Sequence, residues 1–225
     1  MLRYFDIIFS LLALVILFPI FLIISLILHF TGEGEIFYLQ DRVGMNGKKF
    51  KIIKFSTMLK NSPNMGSKTI TMRDDPRILP VGKVLRKTKI NELPQLLNIF
   101  NGDMSFVGPR PLTEQTFNSY SSETQKIVMR VKPGLSGIGS LIFRQEEEIL
   151  QGEFASTDFY HNVIAPYKGE LEKWFIKNQS LRVYFLVIFV TVWVVVFPSS
   201  KLVWNVFKNL PTPPDFLQDL LKYDC

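Results

Sequence analysis

From Ile7 to Leu28 the chain is almost wholly apolar, interrupted only by Ser10, Pro19 and Ser25. At about 1.5 Å per residue, a helix of this length can cross a hydrocarbon core of roughly 30 Å. The basic segment ahead of it is thin and no small-residue cleavage site follows, so a retained membrane element is expected rather than a cleavable signal peptide. Pro19 falls near the middle. Inside a helix it removes one hydrogen bond and crowds the preceding turn, so a kink is expected there. Two geometries follow: a bent span, or a helix that turns back and leaves on the side it entered. The residues by themselves favour the span.

The rest of the chain has to live beside that element. Its 225 residues leave room for one further domain. A net charge of +6 together with 20 Phe suits a body lying against an anionic membrane surface. Nucleic-acid binding would carry the same charge, so charge alone does not separate the two. Cys225 is the single cysteine, which excludes an internal disulfide and points to a reducing compartment. One Cys with the distant His29 and His161 cannot build a zinc cluster.

After Gly32 the pattern changes. Glu35 to Gln40 and Phe50 to Phe55 are strand-like, and Gly44-Met45-Asn46-Gly47 supplies a turn, so a β-hairpin is expected. Lys48, Lys49, Lys51 and Lys54 crowd its second arm and place this side in the cytoplasm. Asn61 to Ser67 reads as a loop, and Asp74-Asp75-Pro76-Arg77 as a helix start with an acid cap. Thr113 to Arg130 reads as one polar helix ended by the glycine-rich Lys132–Gly139, where glycines either admit a ligand to the backbone or only make a turn. Glu146-Glu147-Glu148 reads as a solvated helix start, and Tyr160 to Lys177 as a helix with Trp174 and Phe175 on its apolar side. Phe185 to Phe197 is too short for an upright span. Trp193, Trp204, Lys201 and Lys208 favour an interfacial helix there over a buried one. Pro211-Thr212-Pro213-Pro214 is a stiff linker before a small terminal helix.

The densest chemistry lies between Arg86 and Arg110. Arg86, Lys87 and Lys89 lead into Asn91-Glu92, and Leu93, Leu96, Leu97 and Phe100 recur at helical spacing, so that face should be buried. Gly102-Asp103 ends the helix. Gly108-Pro109-Arg110-Pro111 is stiff, because two prolines fix φ and remove two donors. An arginine fork on a stiff loop suits bidentate recognition of a phosphate. The carboxylate of Glu92 beside it would repel that phosphate unless a divalent cation stood between them, and oxygen ligands suit magnesium. The stretch therefore reads as a site for a diphosphate and its metal.

Taken together, the proline-broken N-terminal helix, KIIKFSTM, DDPRILPVGKVLRKT, ELPQLLN, GDMSFVGPRP and KPGLSGIG resemble the bacterial sugar transferases. These are monotopic phosphoglycosyl transferases that move a phosphosugar from a UDP-sugar to undecaprenyl phosphate. The resemblance covers roughly Phe5 to Pro198, and GSLIFRQEEEIL resembles one subgroup. It implies an α+β, mostly helical fold with a re-entrant N-terminal membrane helix broken at Pro19, overriding the preference for a span, a small hairpin and interfacial amphipathic helices. The divisions are 1–31 for the membrane helix, 32–200 for a cytoplasmic catalytic domain and 201–225 for a C-terminal tail. It also implies the inner membrane of a bacterium, at its cytoplasmic face. Lys54, Arg86 and Arg110 would bind the substrate, with Pro109, Pro111, Lys132 and Arg144 alongside them. Glu92 would hold Mg2+. The implied partners are UDP-sugar, undecaprenyl phosphate and membrane lipid. Nucleic acid is not among them, since an acid stands among the phosphate-site bases, and a homodimer is left open.

One position departs from the family. The catalytic Asp-Glu dyad falls on Asn91-Glu92, and the family's Asp is the nucleophile that attacks the β-phosphate, releases UMP and carries the phosphosugar. A carboxylate can do this and a neutral amide oxygen cannot. Three explanations stand open: an inactivated form of an active enzyme, a subgroup that uses another carboxylate such as Glu92 or transfers directly between two bound substrates, and a non-catalytic membrane module that binds UDP-sugar or lipid phosphate.

Overall fold

A computed structural model of the chain describes residues 2–65, 75–150, 154 and 156–223. The apolar run forms α1 (Leu2–Phe30), a helix that continues through Pro19 without interruption. One stripe of α1 faces the rest of the protein: Arg3, Asp6, Ser10, Leu14, Leu17, Phe21, Ile24 and Leu28, three or four residues apart. The opposite face is bare, with Ile8, Leu12, Val15, Ile16, Leu22, Ile23 and Phe30 more than half exposed. By length and composition the helix is apolar enough to cross a membrane, and water would penalise this exposed apolar area at about 25 cal/mol per Å².

Both ends of α1 are tied to the same body. Near its start, the Arg3 guanidinium donates to the carbonyls of Ile99 and Phe100. Asp6, 2% exposed, accepts at Oδ1 from Ser105 Oγ (3.0 Å), the Phe106 amide (3.1 Å) and Tyr184 Oη (2.9 Å). A buried carboxylate in an apolar helix is tolerated because it is surrounded by donors in this way. At the far end, Ile24 and Leu28 pack with Phe55 and Leu85.

The expected hairpin is present as β1 (Phe37–Val43) and β2 (Lys49–Phe55), antiparallel with Phe37 opposite Phe55 and Val43 opposite Lys49. Asn46 and Gly47 turn the chain at φ +56° and +74°, the left-handed region that Asn and Gly tolerate. Helix α2 (Pro80–Lys87) follows, then a tight turn Ile90–Glu92, α3 (Gln95–Asn101) and the short β3 (Ser105–Val107). After α4 (Glu114–Phe117) and α5 (Ser122–Val128), β4 (Gly134–Ser136) pairs with β3 in parallel. The remaining helices are α6 (Ile138–Ile142), α7 (Glu146–Ile149), α8 (Thr157–Phe159), α9 (Ala165–Lys177), α10 (Leu181–Val196), α11 (Leu202–Val206) and α12 (Asp215–Gln218). Among the described residues the fold is mostly helical with one small hairpin, as expected.

Several boundaries differ from the sequence expectation. Asp74 lies outside the described residues, and the helix begins at Pro80 instead of Pro76. Asp75 does not cap it but forms a buried ion pair with Arg77, whose Nη1 also reaches the carbonyls of Ser62 and Met65. The polar helix expected over 113–130 is two helices. Ser121 interrupts it by taking the amide of Thr124 as an N-cap. Tyr160–Ile164 is a wide π turn ahead of α9, which relieves the clash that Pro166 would cause in an ordinary turn. On α3 the inward residues are Gln95, Leu96, Asn98 and Ile99, while Phe100 is 39% exposed. Asn98 explains that shift. Its side chain accepts from the Ile53 amide and donates to the Lys51 carbonyl, closing the free edge of β2 as a strand would.

The principal core gathers α9, α10 and the C-terminal segment, with Leu171, Val187, Val190 and Leu217 fully buried. Helix α10 is half buried: Tyr184, Val187, Val190 and Val194 face inward, while Phe189, Val192 and Val196 are exposed. Its Phe185 ring meets Phe5 of α1 edge-on at 5.3 Å, which joins the two bare apolar faces. Residues 201–223 pack closely onto the body. Val203, Phe207 and Leu221 belong to the same core, and Tyr167 Oη donates to the Pro211 carbonyl.

Candidate active site

The parallel pair β3–β4 positions the Gly108–Pro111 loop. Gly108 donates to the Ser136 carbonyl and Gly134 to the Pro109 carbonyl, so the loop is pinned to the glycine-rich segment that follows α5. A Cβ at Gly134 would lie 2.0 Å from the Gly108 nitrogen, and one at Gly137 2.2 Å from the Gly108 oxygen. These glycines are therefore neither a ligand loop nor a plain turn. They allow two backbones to touch. Gly134→Ala is expected to force the pair apart, lowering stability by about 1–3 kcal/mol. The accompanying shift of Arg110 should reduce any activity of this site by about 100-fold. A thermal melt and an activity assay on the variant check both.

From that loop Arg110 reaches Glu92. Glu92 Oε1 accepts from Arg110 Nη2 and from Lys54 Nζ, each at 3.3 Å. Lys54 comes from the end of β2 and Glu92 from the turn after α2, where Lys89 adopts φ +61°. A left-handed lysine costs about 1–3 kcal/mol and tends to mark functional sites. It aims Asn91 and Glu92 into a cavity of about 450 Å³.

The cavity wall carries seven Lys or Arg and three Glu among the described residues, so it favours an anionic ligand. Burial would raise the Glu92 carboxyl, but Lys54, Arg110 and Lys89 outweigh it and hold the group well below the usual carboxylate range. Burial pulls Lys54 down to about 7. Glu92 opposes that pull, while the Arg110 and Arg42 charges add to it. Arg110 is raised, chiefly by Glu92. Asn91 is 5% exposed, and its Oδ1 has no hydrogen-bond partner among the described residues. An orphaned buried oxygen beside clustered cations marks a place where a ligand or ion completes the bonding.

Of the residues expected from sequence, Lys54, Arg86, Asn91, Glu92 and Arg110 line this cavity together. Pro109, Pro111, Lys132 and Arg144 do not. The two prolines serve the scaffold through their carbonyls: Pro111 takes a bond from Arg42, and Pro109 takes one from Gly134. The Lys132 ammonium lies near Gly102 and Arg3, at the end of α3. Pro19 lies in α1, away from the cavity lining. Sequence reading missed Arg42, Tyr160, Glu146 and Lys168, all of which line the cavity. The alternation of Tyr38, Gln40 and Arg42 along β1 was the available signal for the first. The Glu146–Lys168 pair (2.5 Å) joins distant segments and had none.

A long, apolar, largely unburied helix stands beside a basic, acid-bearing cleft. Comparison with known proteins gives the family. The bacterial sugar transferase family model matches residues 1–198. The exopolysaccharide production protein ExoY of Rhizobium meliloti is 37% identical over 174 residues, 71% of this chain and 76% of that protein. ExoY of Sinorhizobium fredii is 39% identical over 158 residues, 64% of this chain and 70% of its own. The undecaprenyl-phosphate galactose phosphotransferase of Salmonella typhimurium is 32% identical over 194 residues, 80% of this chain but 37% of that longer protein. This chain belongs to the bacterial sugar transferase family and is a transferase.

Proposed function

We propose that the chain is a phosphoglycosyl transferase that moves a phosphosugar from a UDP-sugar to undecaprenyl phosphate, releasing UMP at the start of lipid-linked glycan assembly. The observation that carries this reading is the clamp of Lys54 and Arg110 on Glu92 inside a cavity rich in cations. Such a cavity stabilises a diphosphate and the charge that shifts along it during phosphoryl transfer, which is where catalysis of this reaction comes from. Arg110 supplies a planar fork, and Lys54, Arg42 and Arg86 supply further cations along the same wall. Phe55 both lines the cavity and packs on the inward stripe of α1, so the cavity wall lies against the helix that would carry the chain into the membrane.

Magnesium is the cofactor of this reading. Among the described residues no group of three or more His, Cys, Asp or Glu could hold a metal without help. The donors that do exist are Glu92 Oε2, left over when both cations meet Oε1, and the partnerless Asn91 Oδ1. Two oxygens suit an ion whose other ligands are water and substrate phosphate, as magnesium prefers. Bound there, it would neutralise developing charge on the phosphates. Lys54 and Arg110 hold Glu92 in place for it.

The one-face topology belongs to this reading: both ends of α1 contact the same body, while α1 itself runs unbroken through Pro19 instead of reversing there. With Cys225→Ser as background, a cysteine added at the N-terminus and one at Lys48 should both be labelled only from the cytoplasmic side. Labelling of the N-terminus from outside would contradict it. The titration of Lys54 adds a pH signature. Its folded pKa is lowered, so the ammonium is present below about 7 and is lost above. KM for the UDP-sugar should therefore rise between pH 7 and 8, by at most about tenfold per unit, and a flat KM would count against a phosphate role for Lys54. The rival reading, a non-catalytic binding module, is favoured by Asn91 alone. It requires UDP-sugar binding without UMP release, which isothermal titration beside a UMP assay separates.

A further inference from the structure

We propose that Glu146 supplies the attacking carboxylate that Asn91 cannot, making it the nucleophile of this chain. The inference rests on the phosphosugar-transfer reading and adds the identity of the attacking group. Three carboxylates line the cavity among the described residues. Glu35 is tied to Lys60 with its side chain 45% exposed, outside the cationic centre. Glu92 has one oxygen held by both Lys54 and Arg110, and its other oxygen is the one assigned above to the metal, so neither is left to attack. Glu146 remains.

Its setting suits the role. Glu146 Oε1 is bonded to Lys168 Nζ at 2.5 Å. Lys168 is itself buried, its ammonium 4.9 Å from the centre of the Phe143 ring and 5.4 Å from that of Tyr160. A lysine clamped in this way fixes the carboxylate's direction at Oε1, and Oε2 has no hydrogen bond among the described residues. The Glu146 side chain is 24% exposed, open to the cavity without being loose. Glu146 lines the same cavity wall as Arg110 and Glu92, and its charge, like that of Glu92, raises Arg110.

The step balances without further reagents. A Glu146 oxygen forms a bond to the β-phosphorus of the UDP-sugar as the bond from that phosphorus to the bridging oxygen breaks. UMP leaves with the electron pair. An oxygen of the polyprenyl phosphate then attacks the same phosphorus, and the Glu146 carboxylate departs unchanged. Lys168 orients the group through its bond to Oε1.

The test uses the full chain in nanodiscs, with UDP-glucose, UDP-galactose, UDP-N-acetylglucosamine and UDP-N-acetylgalactosamine in turn. Each is mixed without lipid acceptor, followed by intact-mass spectrometry and peptide mapping. The expected result is a phosphosugar adduct on the peptide containing Glu146, discharged when undecaprenyl phosphate is added. An adduct on Glu92, or UMP release that needs the lipid and never leaves an adduct, overturns the assignment while leaving the transfer reading intact. No UMP from any donor even with lipid retires the transfer reading and this inference with it. A second arm uses Glu146→Gln, expected to lose at least 100-fold in turnover, and the double variant Asn91→Asp/Glu146→Gln, expected to recover turnover with its adduct at position 91. A purely structural Glu146 would not be rescued by a carboxylate elsewhere. A double variant that stays inactive while Asn91→Asp alone is active would therefore overturn the proposal.

Discussion

Glu92→Gln is expected to lower kcat by about 10³-fold while leaving UDP-sugar affinity undiminished. The amide keeps the shape of the side chain but removes the one charge set between Lys54 and Arg110. Those cations then face the diphosphate with more net positive charge, so ground-state binding is preserved or strengthened. What disappears is the oxygen that would hold the metal against the phosphates. Steady-state kinetics that separate kcat from KM distinguish this from simple misfolding, which would depress both along with the melting temperature. Turnover within tenfold of the unaltered chain would remove Glu92 from the catalytic centre.

The second large effect is at Arg110. Arg110→Lys preserves charge but loses the fork, so a flexible point charge replaces the two parallel N–H bonds that arginine can give one phosphate. Its backbone is set by Pro109 and Pro111 and by the packing of Gly108 on β4, so the fold should be unaffected. The expected outcome is a fall in kcat/KM of about 10²-fold with an unchanged melting temperature. Near-normal kinetics would reduce Gly108–Pro111 to a scaffold loop.

Much of this site could be read from local sequence, and the limits of that reading have physical causes. The hairpin was legible because turn residues and alternation are local, and the membrane helix because twenty-two residues of apolar character admit few alternatives. Lys54, Arg86, Glu92 and Arg110 were found because stiff basic loops and isolated acids carry their chemistry in short stretches, and the cavity gathers all four. The parallel pair β3–β4 was not legible. Its strands are three residues long and lie far apart in the chain, so neither shows a periodicity. The inward face of α3 was misjudged because Asn98, a polar residue, is buried to complete a strand edge, while Phe100 is not. Glu146 read as a solvated acid because nothing local announces that Lys168 will be folded against it. Residues 201–223 read as a tail because the partners of Phe207 and Leu217 belong to helices formed much earlier in the chain.

The most direct measurement of the central claim is a paired assay on the unaltered chain in nanodiscs with undecaprenyl phosphate, magnesium and a radiolabelled UDP-sugar, following label in the lipid fraction and UMP in solution together. The expected result, for at least one of the UDP-sugars tried, is one UMP released per labelled phosphosugar that enters lipid, with both signals lost in Glu92→Gln. UDP-sugar binding without UMP release from any donor would contradict it and leave the chain a binding module.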